Sequence, residues 1–105
     1  MLKTFFLVLI LLTMGCEKKV IPLPDHLGGQ IYNGLMRIDV RCVKCHGDLG
    51  EGTDRAPALV HDGKTIPRAL FIKTVLEGRN RMPMFSTVLN EEQVGQIADW
   101  LEKIQ

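Results

Sequence analysis

The sequence predicts an all-α fold, three or four helices in one small domain. Three observations support it. Apolar residues recur at helical spacing in three stretches, most clearly at Val94, Ile97, Trp100, Leu101 and Ile104. No stretch shows the apolar–polar alternation of a half-buried strand. Between the periodic stretches, Gly47, Gly50, Gly52, Pro57 and Gly63 mark a long loop. With 105 residues the chain has room for one modest core.

The first 25 residues stand apart from that core. Lys3 precedes an almost wholly apolar run from Thr4 to Met14. The run is too short to span a bilayer, which takes about 20 apolar residues. It fits the apolar region of a secretory leader. Leu12-Thr13-Met14-Gly15-Cys16 resembles a bacterial lipobox, whose cysteine is acylated and becomes the mature N-terminus. Thr13 stands where such sites usually carry Leu. The alternative is an ordinary leader cut elsewhere, with Cys16 a stray thiol. An unused thiol in an oxidising compartment needs an explanation, which favours lipidation. The expected plan is residues 1–15 as a removed leader, 16–25 as a lipid-anchored linker and 26–105 as the domain. Pro22 and Pro24 keep the linker out of helix and sheet.

Within the domain, residues 28–40 carry Ile31, Tyr32, Leu35, Met36 and Ile38 at near-helical spacing. Gly29 and Gly34 weaken that helix by about 1 kcal/mol each relative to Ala. Their presence implies a close neighbour. Thr65 is the expected N-cap of a second helix, with Pro67 in its first turn. Ala69, Leu70, Phe71, Ile72, Val75 and Leu76 form its apolar stripe, and Gly78 stops it. Asn90 caps the last helix, with Gln93 at the capping-box position.

Cys42-Val43-Lys44-Cys45-His46 is the attachment pattern of a c-type haem. Chemistry explains the spacing. Each thiol adds to one porphyrin vinyl, and the two vinyls lie on neighbouring edges of the ring. One helical turn presents both sulfurs to that edge, and His46 offers its imidazole to the iron. The alternatives are a redox Cys-x-x-Cys and part of a zinc site. The first needs a βαβ setting, and the sequence shows none. The second needs a fourth ligand, and neither His26 nor His61 stands in a recognisable Cys/His pair. One covalently bound haem c is therefore the expected cofactor, serving as a large apolar centre. All three cysteines then have a use: Cys42 and Cys45 hold haem, and Cys16 holds lipid.

A second axial ligand is available in Arg81-Met82-Pro83-Met84-Phe85. A thioether opposite an imidazole is the usual pairing in electron-transfer haems. Met82 and Met84 are equally competent donors.

Taken in order, these motifs resemble those of class I mono-haem c-type cytochromes. They are Gly29-Gln30-Ile31-Tyr32, Cys42 to Gly47, Gly50-Glu51-Gly52, Ala56-Pro57-Ala58-Leu59, Met82-Pro83-Met84-Phe85 and the helix from Asn90 to Ile104. The resemblance covers nearly all of the domain. It implies the small cytochrome c fold, helices wrapped around one haem. It implies that Met82, just before the proline, binds iron opposite His46, with Met84 a buried filler near the ring. It implies that the Pro57 carbonyl accepts the His46 Nδ1–H, fixing the ring and raising its basicity. It implies that the first and last helices cross near Tyr32 and the segment 97–101, with Trp100 in that contact or against the haem edge. The chain departs from the pattern in one place. Family members often put Cys-x-x-Cys-His a few residues after Ile-Tyr, and here residues 33–41 intervene. Either a longer first helix or an extra loop absorbs them.

Charge narrows the partners. The formal net charge is +1. Loss of Lys3 with the leader leaves twelve basic and twelve acidic side chains. No basic stripe points to nucleic acid. Arg37, Arg41 and Arg55 are candidates for a haem propionate, although solvated surface is the simpler reading of each. Arg79 and Arg81 flank Met82, where they would steer an acidic partner or keep the loop soluble. His26 and His61 read as ordinary surface or core histidines, with His61 a remote substitute for Met82.

The expected function is electron transfer, not enzymatic catalysis. Two protein ligands leave the iron no open position, and no paired acid and base is visible. The expected partners are a redox donor and a redox acceptor. The expected location is the periplasmic side of a bacterial membrane, held through Cys16. There the chain would be a carrier or the haem subunit of a respiratory or dehydrogenase complex. The alternatives are a gas sensor or small peroxidase with a labile Met82, and a non-redox module holding a metal at Cys42, Cys45 and His46.

Overall fold

The computed structural model describes residues 25–105. The leader, Cys16 and all but the last residue of the linker lie outside the described residues. The element order is α1 Leu27–Tyr32, α2 Val43–His46, β1 Val60–His61, β2 Lys64–Thr65, α3 Arg68–Glu77 and α4 Glu91–Lys103. The fold is that of a small helical domain.

Helix α1 is shorter than its apolar spacing predicts. His26 caps it, its Nδ1 accepting the Gly28 N–H at 3.0 Å. This gives His26 a specific local role, where the sequence suggested only an ordinary histidine. The helix stops after Tyr32 because Gly34 takes a left-handed backbone, φ +76°. Gly34 N–H then bonds to Ile31 O at 3.1 Å and Leu35 N–H to Gln30 O at 2.9 Å. These two bonds make a Schellman stop and satisfy the last carbonyls of the helix. Residues 33–41 are therefore an extra loop, not a longer helix. Leu35, Met36 and Ile38 do not continue a buried stripe and are 49%, 56% and 79% exposed. The loop is steadied by the Arg37–Asp39 ion pair and by Val40, which returns into the core.

The expected cap of α3 is also displaced. Thr65 belongs to β2 and pairs with Val60 in a two-residue antiparallel hairpin. Asp62 and Gly63 both have positive φ, 51° and 73°. Asp-Gly is a sequence signal for such a tight turn, and it was open to reading in the sequence. Pro67 takes the N-cap place instead, and its carbonyl receives the Phe71 N–H at 2.9 Å. Gly78 ends the helix as expected. Helix α4 follows its pattern closely. Asn90 accepts from Gln93 N–H at 2.8 Å, and Gln93 accepts from Asn90 N–H at 2.9 Å. Val94, Ile97, Trp100 and Leu101 face inward.

The core lies where α1 and α3 pack on α4. It contains Ile31, Tyr32, Val40, Phe71, Val75, Leu89, Val94, Ile97, Trp100 and Leu101. The α1–α4 crossing needs a glycine at Gly28: a Cβ there would lie 1.9 Å from the Gln96 carbonyl oxygen. Tyr32 stacks on Trp100 with ring centroids 5.0 Å apart and planes tilted by 40°. Such a pair contributes about 0.5–1.5 kcal/mol beyond its buried area. On the far side of α4, Arg68 donates to Gly95 O and to Asp99, tying α3 to α4.

Candidate functional site

The Cys-x-x-Cys-His motif folds as one helical turn. Cys42 stands at the N-cap of α2 with helical backbone angles, φ −56° and ψ −35°. Its carbonyl accepts from His46 N–H at 2.9 Å. Residues three apart in such a turn share a face, so Cys42 and Cys45 sit one above the other. The two cysteines form no disulfide with each other. Cys42 is partly buried, and loss of solvation pushes its thiol up to about 11. Among the described residues no group of three or more His, Cys, Asp or Glu is placed to hold a metal ion.

His46 is buried, and its Nδ1 lies 2.9 Å from the Pro57 carbonyl oxygen. A carbonyl only accepts, so Nδ1 carries the proton and Nε2 keeps its lone pair. That is the tautomer an axial imidazole requires. The loop from Gly47 to Leu59 brings Pro57 into place. Gly52 N–H bonds to His46 O at 2.8 Å, Thr53 N–H to Ala56 O at 3.0 Å and Leu59 N–H to Gly50 O at 2.7 Å. At Gly52, φ +85°, a Cβ would stand 2.6 Å from the Ala58 nitrogen. The loop therefore folds back tightly against the Pro57–Ala58 peptide.

Met82 sits on a second loop, beyond α3. Arg79 N–H bonds to Met82 O at 3.1 Å and Met82 N–H to Arg79 O at 2.9 Å, closing a tight turn. Asn80 supplies its left-handed residue, φ 52°. Phe85 N–H to Val75 O and Ser86 N–H to Leu76 O, at 3.1 and 3.2 Å, clamp the far side of the loop to α3. Met82 is partly buried and packs on the same core cluster as Cys42. Met84 is 57% exposed. That exposure departs from the buried filler expected near the ring.

The structure thus joins His46 to Pro57 directly, and Cys42, Cys45 and His46 along one turn. Met82 packs against the same core cluster as Cys42, from a separate loop. Arg37 is engaged with Asp39, and its hydrogen bonds hold that carboxyl below the usual range. His61 is exposed on the hairpin beside Asp62. Three further contacts escaped sequence reasoning. Tyr32 donates its hydroxyl to Gly47 O at 2.5 Å, and Thr53 donates to Cys45 O at 2.5 Å. The Glu51 carboxylate accepts from Asp48 and Leu49 N–H at 3.2 and 2.8 Å. These are long-range or loop contacts, and no local pattern announces them.

The donor set fits a covalently held haem. Two thiols on one turn, an imidazole in the ligating tautomer and a thioether on the same core are what it needs.

Comparison with known proteins agrees. Residues 28–101 match the family model described as cytochrome C oxidase, cbb3-type, subunit III. The chain is 42% identical over 55 residues to cytochrome c-555 of Methylococcus capsulatus. That match takes in 51% of this chain and 45% of the relative. It is 29% identical to the solved c-type cytochrome NirC, with a TM-score of 0.56, over 72% of this chain and 88% of that one. Cytochrome CL of Methylophaga aminisulfidivorans has the same fold at 24% identity and a TM-score of 0.55, over 74% of this chain and 51% of that one. The chain therefore spans about half the length of two of these relatives.

Proposed function

Because the chain belongs to the c-type cytochrome family described as cytochrome C oxidase, cbb3-type, subunit III, whose members carry covalently attached haem c, we propose that it transfers single electrons between redox proteins. When bound, haem c supplies a one-electron ferric/ferrous couple. In this reading Cys42 and Cys45 hold the ring through thioethers. His46 and Met82 would supply the two protein ligands to its iron. The Pro57 carbonyl orients His46 by accepting a hydrogen bond from its Nδ1–H. The observation that carries the assignment is the His46–Pro57 contact at 2.9 Å, which leaves Nε2 as the only lone-pair nitrogen of the ring.

The chain's residues do little beyond holding and shielding. Two protein ligands would hold the iron alike in both oxidation states. The role is that of a carrier, not an enzyme. The reading extends to the ends of the chain: residues 1–15 a leader, Cys16 the lipid-bearing mature N-terminus and residues 16–25 the tether of the domain at 26–105. The partners are a donor and an acceptor at the periplasmic face of a bacterial membrane.

Acid–acetone extraction tests the covalent part. Haem should stay with the polypeptide, and Cys42→Ala with Cys45→Ala should yield colourless, poorly folded chain. Extraction of free haem from the unaltered protein would refute the assignment of both cysteines.

A further inference from the structure

The C-terminal end of the attachment turn is held from outside itself. Its last carbonyls each meet a different side chain or loop donor: Cys45 O the Thr53 hydroxyl, His46 O the Gly52 N–H, and Gly47 O the Tyr32 hydroxyl at 2.5 Å, with the Gly50 N–H more distant at 3.4 Å. Thr53, Gly52 and Gly50 lie in the adjoining loop. Tyr32 does not. It comes from α1, fifteen residues away, and none of its surface is exposed. On its other side Gly47 faces the Glu51 carboxylate, so closely that a Cβ would stand 2.4 Å from Oε1. The peptide after His46 is thus fixed between a phenol and a carboxylate. Gly47 is itself buried.

We propose that Tyr32 is a positioning residue for the haem site, whose hydroxyl fixes the Gly47 carbonyl beside the axial histidine and raises the reduction potential. This rests on the reading that His46 binds iron. The physical reason is electrostatic. A carbonyl oxygen is the negative end of the peptide dipole, and in a buried setting it acts strongly on nearby charge. Without the phenol that carbonyl keeps only the long Gly50 N–H contact, and its negative end stabilises the ferric state, which carries one more positive charge than the ferrous state. The Tyr32 hydroxyl proton offsets that negative end and so favours ferrous iron. The stack on Trp100 fixes the ring, and with it the direction of the hydroxyl.

Tyr32 is the chain's single tyrosine. Biosynthetic replacement of tyrosine by 3-fluorotyrosine therefore alters this phenol alone and makes it a stronger donor. The experiment measures the midpoint potential and the haem-methyl proton shifts of three full-length holoproteins: unaltered, Tyr32→Phe and fluorotyrosine-substituted. Tyr32→Phe should move the ferric-to-ferrous ratio at fixed poise toward ferric by about threefold or more, where tenfold corresponds to 59 mV. Fluorotyrosine should move it the opposite way, and both should redistribute the methyl shifts. A potential unmoved by either change, or moved the same way by both, would overturn the proposal and leave Tyr32 a packing residue. If Tyr32→Phe fails to retain haem, the fluorotyrosine arm decides alone. If the unaltered holoprotein shows no histidine ligation of its iron by haem proton resonance, the His46 assignment has failed and the proposal falls with it. Histidine ligation with unmoved potentials defeats the Tyr32 inference alone.

Discussion

Gly52→Ala should loosen the seat of His46, and the structure allows its cost to be worked out against a control. Gly52 and Gly63 have similar left-handed backbones, φ +85° and +73°. Placing an L side chain in that region costs about 1–2 kcal/mol. At Gly63 nothing lies within 4 Å of the new Cβ, so that term stands alone. At Gly52 the Cβ meets the Ala58 backbone nitrogen at 2.6 Å and the Pro57 carbonyl carbon at 3.0 Å. Backbone cannot rotate aside as a side chain can, and overpacking of this kind adds about 1–3 kcal/mol. Gly63→Ala should therefore cost about 1–2 kcal/mol and Gly52→Ala about 2–5 kcal/mol. Denaturant unfolding of the two holoproteins, followed by haem absorbance, gives both values. The Gly52 variant should also weaken the Pro57–His46 bond and change the ferric spectrum, while the Gly63 variant should not. Equal costs with equal spectra would refute the claim that close approach at Gly52 sets Pro57 over His46.

Two further outcomes are expected. Backbone N–H groups of Glu51 itself, Leu49 and Asp48 hold the Glu51 carboxyl below the usual range. Its folded pKa lies below its unfolded one, so its stabilisation is present above the unfolded value and fades as pH falls through the folded value. Glu51→Gln should flatten the acid limb of the stability–pH curve, and an unchanged limb would count against the loop's dependence on this carboxylate. At the other end of the chain, intact mass of membrane-extracted protein should show a mature N-terminus at acylated Cys16; an unmodified chain starting elsewhere would remove the lipid anchor.

Much of the site was legible because its parts are local. The spacing of Cys42, Cys45 and His46 is set by one helical turn, and the turn forms as spaced. The Asn90–Gln93 box is a four-residue device, and both of its bonds are made. The Ala56-Pro57 motif brought Pro57 to His46 as its resemblance implied. Less was legible where one residue overrides a pattern. Leu35, Met36 and Ile38 kept a helical rhythm, but the left-handed Gly34 had already ended the helix. Asp62-Gly63 turned the chain and drew Thr65 into a strand pair, away from the cap of α3. Contacts across the fold, such as Tyr32 to Gly47, depend on the α1–α4 crossing and leave no trace in local spacing.

The most direct test of His46–Met82 ligation compares Met82→Ala with Met84→Ala. Both are measured by the red charge-transfer band of Met-ligated ferric haem and by carbon monoxide binding to the ferrous form. Met82→Ala should abolish the band, lower the potential and open the iron to carbon monoxide, since a soft thioether favours ferrous iron. Met84 is 57% exposed, so its loss should keep the band and cost about 1 kcal/mol of stability. Exchanged phenotypes would make Met84 the ligand, and a band unchanged in both variants would contradict methionine ligation and the carrier function built on it.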